Sequence, residues 1–193
     1  MTAQDIAEEA SILLRRTIET IIDHPRDLNI DYRLLHGRVD FIVLPNINDQ
    51  GKVVGKMGAH IKALKLLMSL LGERQGVQFV LRLEEDTEGT RLPDPVRKPA
   101  QPTYSCSAHK QLLSDILKAI LDEAPSVTVE RDLTGGSVLY VFRIEAQRVQ
   151  DYERLVVPGE DQDGQTVISA LGTLFRAAGL RDGVGFKLEI PSR

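Results

Sequence analysis

The feature that most constrains this chain is that it repeats itself. "LLGERQGVQFVLRLEE" (from Leu70) lies over "AAGLRDGVGFKLEIPS" (from Ala177) and pairs Gly72 with Gly179 and Gly76 with Gly183. A repeat this long needs two copies of one supersecondary arrangement, and it limits the fold before any single motif is weighed.

The order of elements around each copy agrees. In the first half, Ile6, Ala10, Leu13, Leu14, Thr17, Ile18, Ile21 and Ile22 fall at helical spacing, and Pro25 is expected to end that helix. Ile30, Tyr32 and Leu34 then alternate, as do Val39, Phe41 and Val43, with His36-Gly37 between them as a hairpin turn. A short segment, "NINDQGKVV", leads to a glycine pair. Ile61, Leu64, Leu67, Met68 and Leu71 line a second long helix, closed by Gly72 or Gly76. Val77, Phe79, Leu81 and Leu83 form a last strand. The second half gives the same series: a helix ended by Pro125, strands flanking Thr134–Gly136, a short helix at "DYERLVV", a helix carrying Val167, Ile168, Leu171, Leu174 and Phe175, and a strand at "GVGFKLEI".

Between the halves, Thr87 to Cys106 holds Pro93, Pro95, Pro99 and Pro102 with little periodicity, which reads as a semi-stiff linker. The expected organisation is a unit over 1–86, a linker over 87–106 and a second unit over 107–193. The fold class is α+β, each unit a three-stranded sheet packed by three helices in the order α-β-β-α-α-β.

Composition narrows the function. The 193 residues carry a formal net charge of -4, so no global positive field attracts nucleic acid, and any such activity needs a local patch. One such patch exists. Lys52, Lys56, Lys62, Lys65 and Arg74 face only Glu73 between positions 52 and 74. The matching stretch, 151–165, sets Asp151, Glu153, Glu160, Asp161 and Asp163 against Arg154 alone, so the two copies are electrostatic opposites there. The one cysteine, Cys106, excludes an internal disulfide and reads as a bystander thiol. The N-terminus lacks the pattern of a signal peptide, and no apolar run reaches the ~18 residues of a membrane span. The expected location is the cytoplasm, with no membrane partner.

"VVGKMGAHIKAL" (Val53 to Leu64) carries the chemistry. A nucleotide-binding P-loop needs one more residue between the glycines and a Ser or Thr where Met57 stands. The Rossmann fingerprint G-x-G-x-x-G is absent. A backbone clamp fits better. Gly55 and Gly58 permit torsions other residues resist and let another backbone approach, at the positive end of the following helix, with Lys56 as a mobile cation.

In this setting, Val53, Val54, Gly55, Lys56, Met57, Gly58, Ala59, His60 and Ile61 match V-[IV]-G-x-x-G-x-x-I in full, and residues 5–85 resemble a type II K homology (KH) domain, in particular the small single-domain KH proteins of bacteria. The resemblance implies a groove for about four unpaired nucleotides. Helix–GKMG–helix would form one side, and the edge of the second strand, Arg38 to Leu44, the other. Val53, Val54 and Ile61 would form an apolar floor. The RNA-binding residues it implies are Lys52, Val54, Gly55, Lys56, Met57, Gly58, His60, Ile61 and Lys62. Lys56 is the phosphate contact. Met57 packs on a sugar or stays exposed, and His60 either contacts the ligand or is an ordinary exposed helix residue. The second half resembles the same domain in layout, but Gln162, Asp163, Gly164 and Gln165 stand where Gly55 to Gly58 would, so no nucleic-acid contact is carried over.

Other patterns fall short. "GEDQDG" puts Gly159 and Ala170 at the two positions where a calcium-binding EF-hand loop needs acids. His24, His36 and His109 show no metal spacing, "EEDTE" from Glu84 reads as a solvated strand end, and no nucleophile–base pair stands out. The expectation is a non-enzymatic protein without cofactor or metal that binds single-stranded RNA through its first unit. The second unit is then structural, or docks another KH protein or protein partner. The alternative is a protein–protein adaptor that keeps the scaffold without RNA.

Overall fold

The computed structural model describes residues 2–84, 106–133, 138–158 and 164–191. The chain divides into two units, Met1–Val96 and Arg97–Arg193. The proline-rich stretch 87–105, the turn Thr134–Gly136, Glu85–Glu88 and the acidic residues 159–163 lie outside the described residues.

The first unit opens with α1 (Ala3–Glu19), started by a capping box in which Thr2 and Asp5 satisfy each other's backbone N–H. The helix stops at Glu19, well before Pro25. The Thr20 N–H turns back to Thr17 and Ile18 carbonyls, and its hydroxyl donates to the Thr17 carbonyl at 2.7 Å. Ile21 and Ile22 are still buried, but beyond the helix. Pro25 instead begins a short 3-10 turn, Pro25–Asp27. Strands β1 (Asn29–Leu35) and β2 (Arg38–Leu44) pair antiparallel with Leu35 opposite Arg38. That register leaves His36-Gly37 as a two-residue turn, with Gly37 at φ +71°. Next come α2 (Gln50–Val54), the GKMG loop, α3 (Ala59–Gln75) and β3 (Gln78–Leu83), which runs parallel to β2.

The second unit repeats the series with α4 (Ser107–Ile120), β4 (Ser126–Asp132), β5 (Leu139–Glu145), α5 (Val149–Val156), α6 (Val167–Asp182) and β6 (Gly185–Glu189). The sheets are β1-β2-β3 and β4-β5-β6, each antiparallel then parallel. The α+β class and the α-β-β-α-α-β order of both units are therefore as expected.

The repeated glycines do the same work twice. Gly76 and Gly183 end α3 and α6 in the left-handed conformation, φ +67° and +73°. One turn earlier, Gly72 and Gly179 each accept from the N–H five residues on, at 2.9 Å. A side chain on either would strike the Val77 or Val184 carbonyl and the ring of Phe79 or Phe186. That close approach lets each helix lie flat on its sheet. Alternation then aims Ile30, Val39, Phe41, Val43, Phe79 and Leu81 into one core. The phenylalanines meet edge-on, with Phe41 and Phe79 centroids 5.1 Å apart and Phe142 and Phe186 5.4 Å apart. Among the described residues no helix is long and apolar enough to cross a membrane.

Candidate nucleic-acid interface

The GKMG loop is a turn closed by the Gly58 N–H on the Gly55 carbonyl at 3.1 Å. Both glycines are required by the backbone. Gly55 lies at φ +73°, ψ 170°, a region open essentially to glycine alone, and Gly58 is left-handed at φ +76°, ψ 17°. Between them Met57 also adopts positive φ, at +54°. This path drives Lys56 and Met57 outward. Lys56 is exposed, and Met57 is 90% exposed, an unusual state for so apolar a side chain.

His60 is not an ordinary exposed helix residue. Its Nδ1 donates to the Lys52 carbonyl at 2.6 Å, which satisfies a C-terminal carbonyl of α2, and its ring packs on the bare face of Gly55. It braces the loop from below and is half-buried. Val54 and Ile61 are half-buried beside the loop, as an apolar floor requires, and Lys62 is exposed on α3. Val53 belongs to the core, with no exposed surface, and cannot line a groove.

Lys52 is also placed differently from a free phosphate contact. Its ammonium bridges Asp23 and Asp49, 2.7 Å from each. The Asp49 carboxylate, 0% exposed, further accepts from the backbone N–H groups of Asp23 (3.1 Å) and His24 (2.7 Å) and meets His24 Nδ1 at 3.1 Å. Burial pushes the Asp49 carboxyl up. The Lys52 ammonium and the two N–H groups outweigh it and hold the group below the ordinary aspartate range. Burial likewise lowers Lys52, but its two carboxylates hold it above the ordinary lysine value. This cluster ties the end of the α1 loop to α2, and so fixes the helix that delivers the glycines. The sequence pattern alone did not single out Asp23, His24 or Asp49 as a cluster. A signal was present in the repeat: Asp49 precedes Lys52 by three, as Asp151 precedes Arg154, and the buried Asp151 holds the Asp122 N–H at 3.2 Å much as Asp49 holds that of Asp23.

The expected second wall needs correction. β2 is the central strand of its sheet, paired to β1 on one side and β3 on the other, so Arg38 to Leu44 has no free edge to offer bases. What remains of the candidate surface is the GKMG turn and the first turn of α3.

The N-termini of α3 and α6 differ. α3 starts at Gly58 with no side-chain cap, and the Gly58 and Ala59 N–H groups turn back onto the Gly55 and Lys56 carbonyls of the loop. α6 is closed by Thr166 and Ser169, whose side chains take each other's backbone N–H at 3.2 and 3.1 Å. The second unit thus closes with side chains the helix start that the first closes with its own loop carbonyls. Gly164 keeps positive φ, +73°, but has no glycine partner at the spacing of Gly55 and Gly58. Cys106 sits half-buried at the start of α4, where burial raises its thiol above the ordinary value. Among the described residues, no group of three or more His, Cys, Asp or Glu side chains is placed to hold a metal ion.

A scan of protein-family models finds no match to the chain, and a search of curated proteins finds none either.

Proposed function

We propose that the first unit binds single-stranded RNA through the GKMG loop, as a KH-type clamp. The observation that carries this reading is the uncapped N-terminus of α3 behind two glycines that hold Lys56 and Met57 in solvent. The positive end of a 17-residue helix and one mobile ammonium together suit a phosphate. The exposed thioether and the floor of Val54 and Ile61 suit a sugar or base edge. A loop this short reads few phosphates, so binding should be modest and strongly weakened by salt, with a log–log slope of about -0.7 per phosphate neutralised.

The second unit, with its capped helix, has no equivalent clamp, and its role in this reading is to carry or dock a protein partner. The net acidity of the chain favours such a partner over a second nucleic-acid site.

Fluorescence anisotropy with ~12-nucleotide RNA homopolymers at low salt tests the proposal on the full chain, native and Lys56→Asp/Met57→Asp. Binding by the native chain and its loss in the variant support it. Failure of the native chain to bind supports the adaptor reading, and equal binding by both removes the site from GKMG.

A further inference from the structure

Among the described residues, the helices of each unit pack on one face of its sheet, and the alternate strand positions face away from them. In the first sheet the open positions alternate with the core and carry Arg33, Arg38 and Arg82 against Asp31 and Asp40 within the strands. Their geometry is centred. Asp40, on the middle strand, takes the Arg38 guanidinium through both oxygens and meets Arg82 at 3.1 Å, with Arg33 directly across on β1. Three guanidiniums thus ring one carboxylate.

The open face of the second sheet has the opposite arrangement. Its strands carry Arg143 and Lys187 against Glu130, Asp132, Glu145 and Glu189. Arg143 is on the middle strand and is held by Glu130 at 2.7 Å and Glu189 at 3.6 Å. Carboxylates ring one guanidinium. Laid face to face, the two sheets oppose ring to ring and centre to centre with opposite sign at both.

We propose that the open sheet face of the first unit docks the open sheet face of the second unit of another copy of this chain, giving a reciprocal dimer. Area argues for reciprocity. Three strands at ~4.8 Å spacing and seven residues at ~3.3 Å give about 320 Å² per face. A single pairing would bury about 650 Å², too little for a specific interface, whereas two pairings related by a two-fold axis bury about 1,300 Å², inside the usual range. Intermediate burial of Ile42 and Val80 on one face and Val141 on the other supplies a small apolar centre. An interface this polar should form fast, hold weakly and dissolve in salt. The proposal is independent of the RNA reading, since it uses neither the GKMG loop nor α3.

Sedimentation of the full chain without RNA, at tens of micromolar, tests it. The native protein should sediment at twice the 21.5 kDa chain mass in low salt and at the chain mass in ~1 M salt, where screening reaches ~3 Å. Arg33→Glu/Arg82→Glu and Glu130→Lys/Glu189→Lys should each be monomeric. Mixed one to one, they should dimerise, because each then offers the sign the other needs at both interfaces. A misfolded variant cannot produce that rescue, and the salt response of the native chain stands without either variant. A native monomer in low salt, or a dimer that survives both reversals, would overturn the proposal. So would a native monomer whose RNA binding is weakened by Arg33→Glu/Arg82→Glu, which would assign the face to nucleic acid.

Discussion

The imidazole of His60 occupies the space where a side chain on Gly55 would stand: a Cβ there would lie 2.5 Å from the His60 ring. The same ring donates to the Lys52 carbonyl, so the glycine, the histidine and the end of α2 form one joint. Gly55→Ala should cost about 1–3 kcal/mol from backbone strain alone, before the collision is counted. His60→Ala in the same chain removes the collision but not the strain. Denaturant unfolding of the two single variants and the double should therefore show partial, not full, rescue. Full rescue would mean that the torsion at Gly55 is not strained.

The Lys52–Asp49–Asp23 cluster makes a second prediction. Lys52→Met leaves Asp49 buried without its cation and should cost about 3–5 kcal/mol, read as loss of amide-exchange protection in β2. The pH dependence has a definite sign. Asp49 is held low, so its contribution is full above the ordinary aspartate value of ~3.9 and is lost as pH falls through the folded value. Lys52 is held high, so its contribution is full below ~10.4 and is lost as pH rises through its folded value. The native first unit should show a plateau between these limits, and the variant a lower and flatter one.

Two glycines that look alike in sequence should behave oppositely. Gly72→Ala drives a methyl into the Val77 carbonyl and the Phe79 ring and should destabilise by about 2–4 kcal/mol. Gly172, inside α6, has open space where a methyl would stand, with nothing within 4 Å, and Gly172→Ala should stabilise by about 0.5–1 kcal/mol. Thermal melts of both variants check the pair, and a stabilising Gly72→Ala would refute the close-approach account.

His109 should make the second unit sensitive to mild acid. Burial holds it below the ordinary histidine value, with Asp182 at 3.4 Å opposing that shift. The neutral form is thus favoured in the fold, and its contribution is full above ~6.5 and lost as pH falls. His109→Leu should flatten the stability profile of β5 and β6 below about pH 6.5. An unchanged slope would place the acid sensitivity elsewhere.

Much of the fold was legible because each unit obeys local rules. The alternation of Val39, Phe41 and Val43, the His36-Gly37 turn and the matched pairs Gly72/Gly179 and Gly76/Gly183 all mark what the structure builds. The end of α1 was not legible, because a proline sets where a helix must have stopped, not where it does stop, and Thr20 turns the chain earlier. The exposed turn was legible in Gly55 and Gly58, whose torsions glycine tolerates best. The roles of Lys52, His60 and Val53 were not, because a motif gives spacing and not the partner a side chain finds across the fold. Lys52 finds Asp23, a contact between residues 29 apart in sequence. The central place of β2 was hidden for the same reason, since strand order is a long-range property.

RNA binding at the GKMG turn is tested most directly by titrating the full chain, isotopically labelled, with a short unstructured RNA and following each backbone amide by nuclear magnetic resonance. Shifts should concentrate at Gly55 to Ile61, with Val54 beside them, while residues 164–170 at the capped start of α6 stay still. Shifts that spare the GKMG turn, or that appear equally at Thr166 and Ser169, would contradict this reading of the two units.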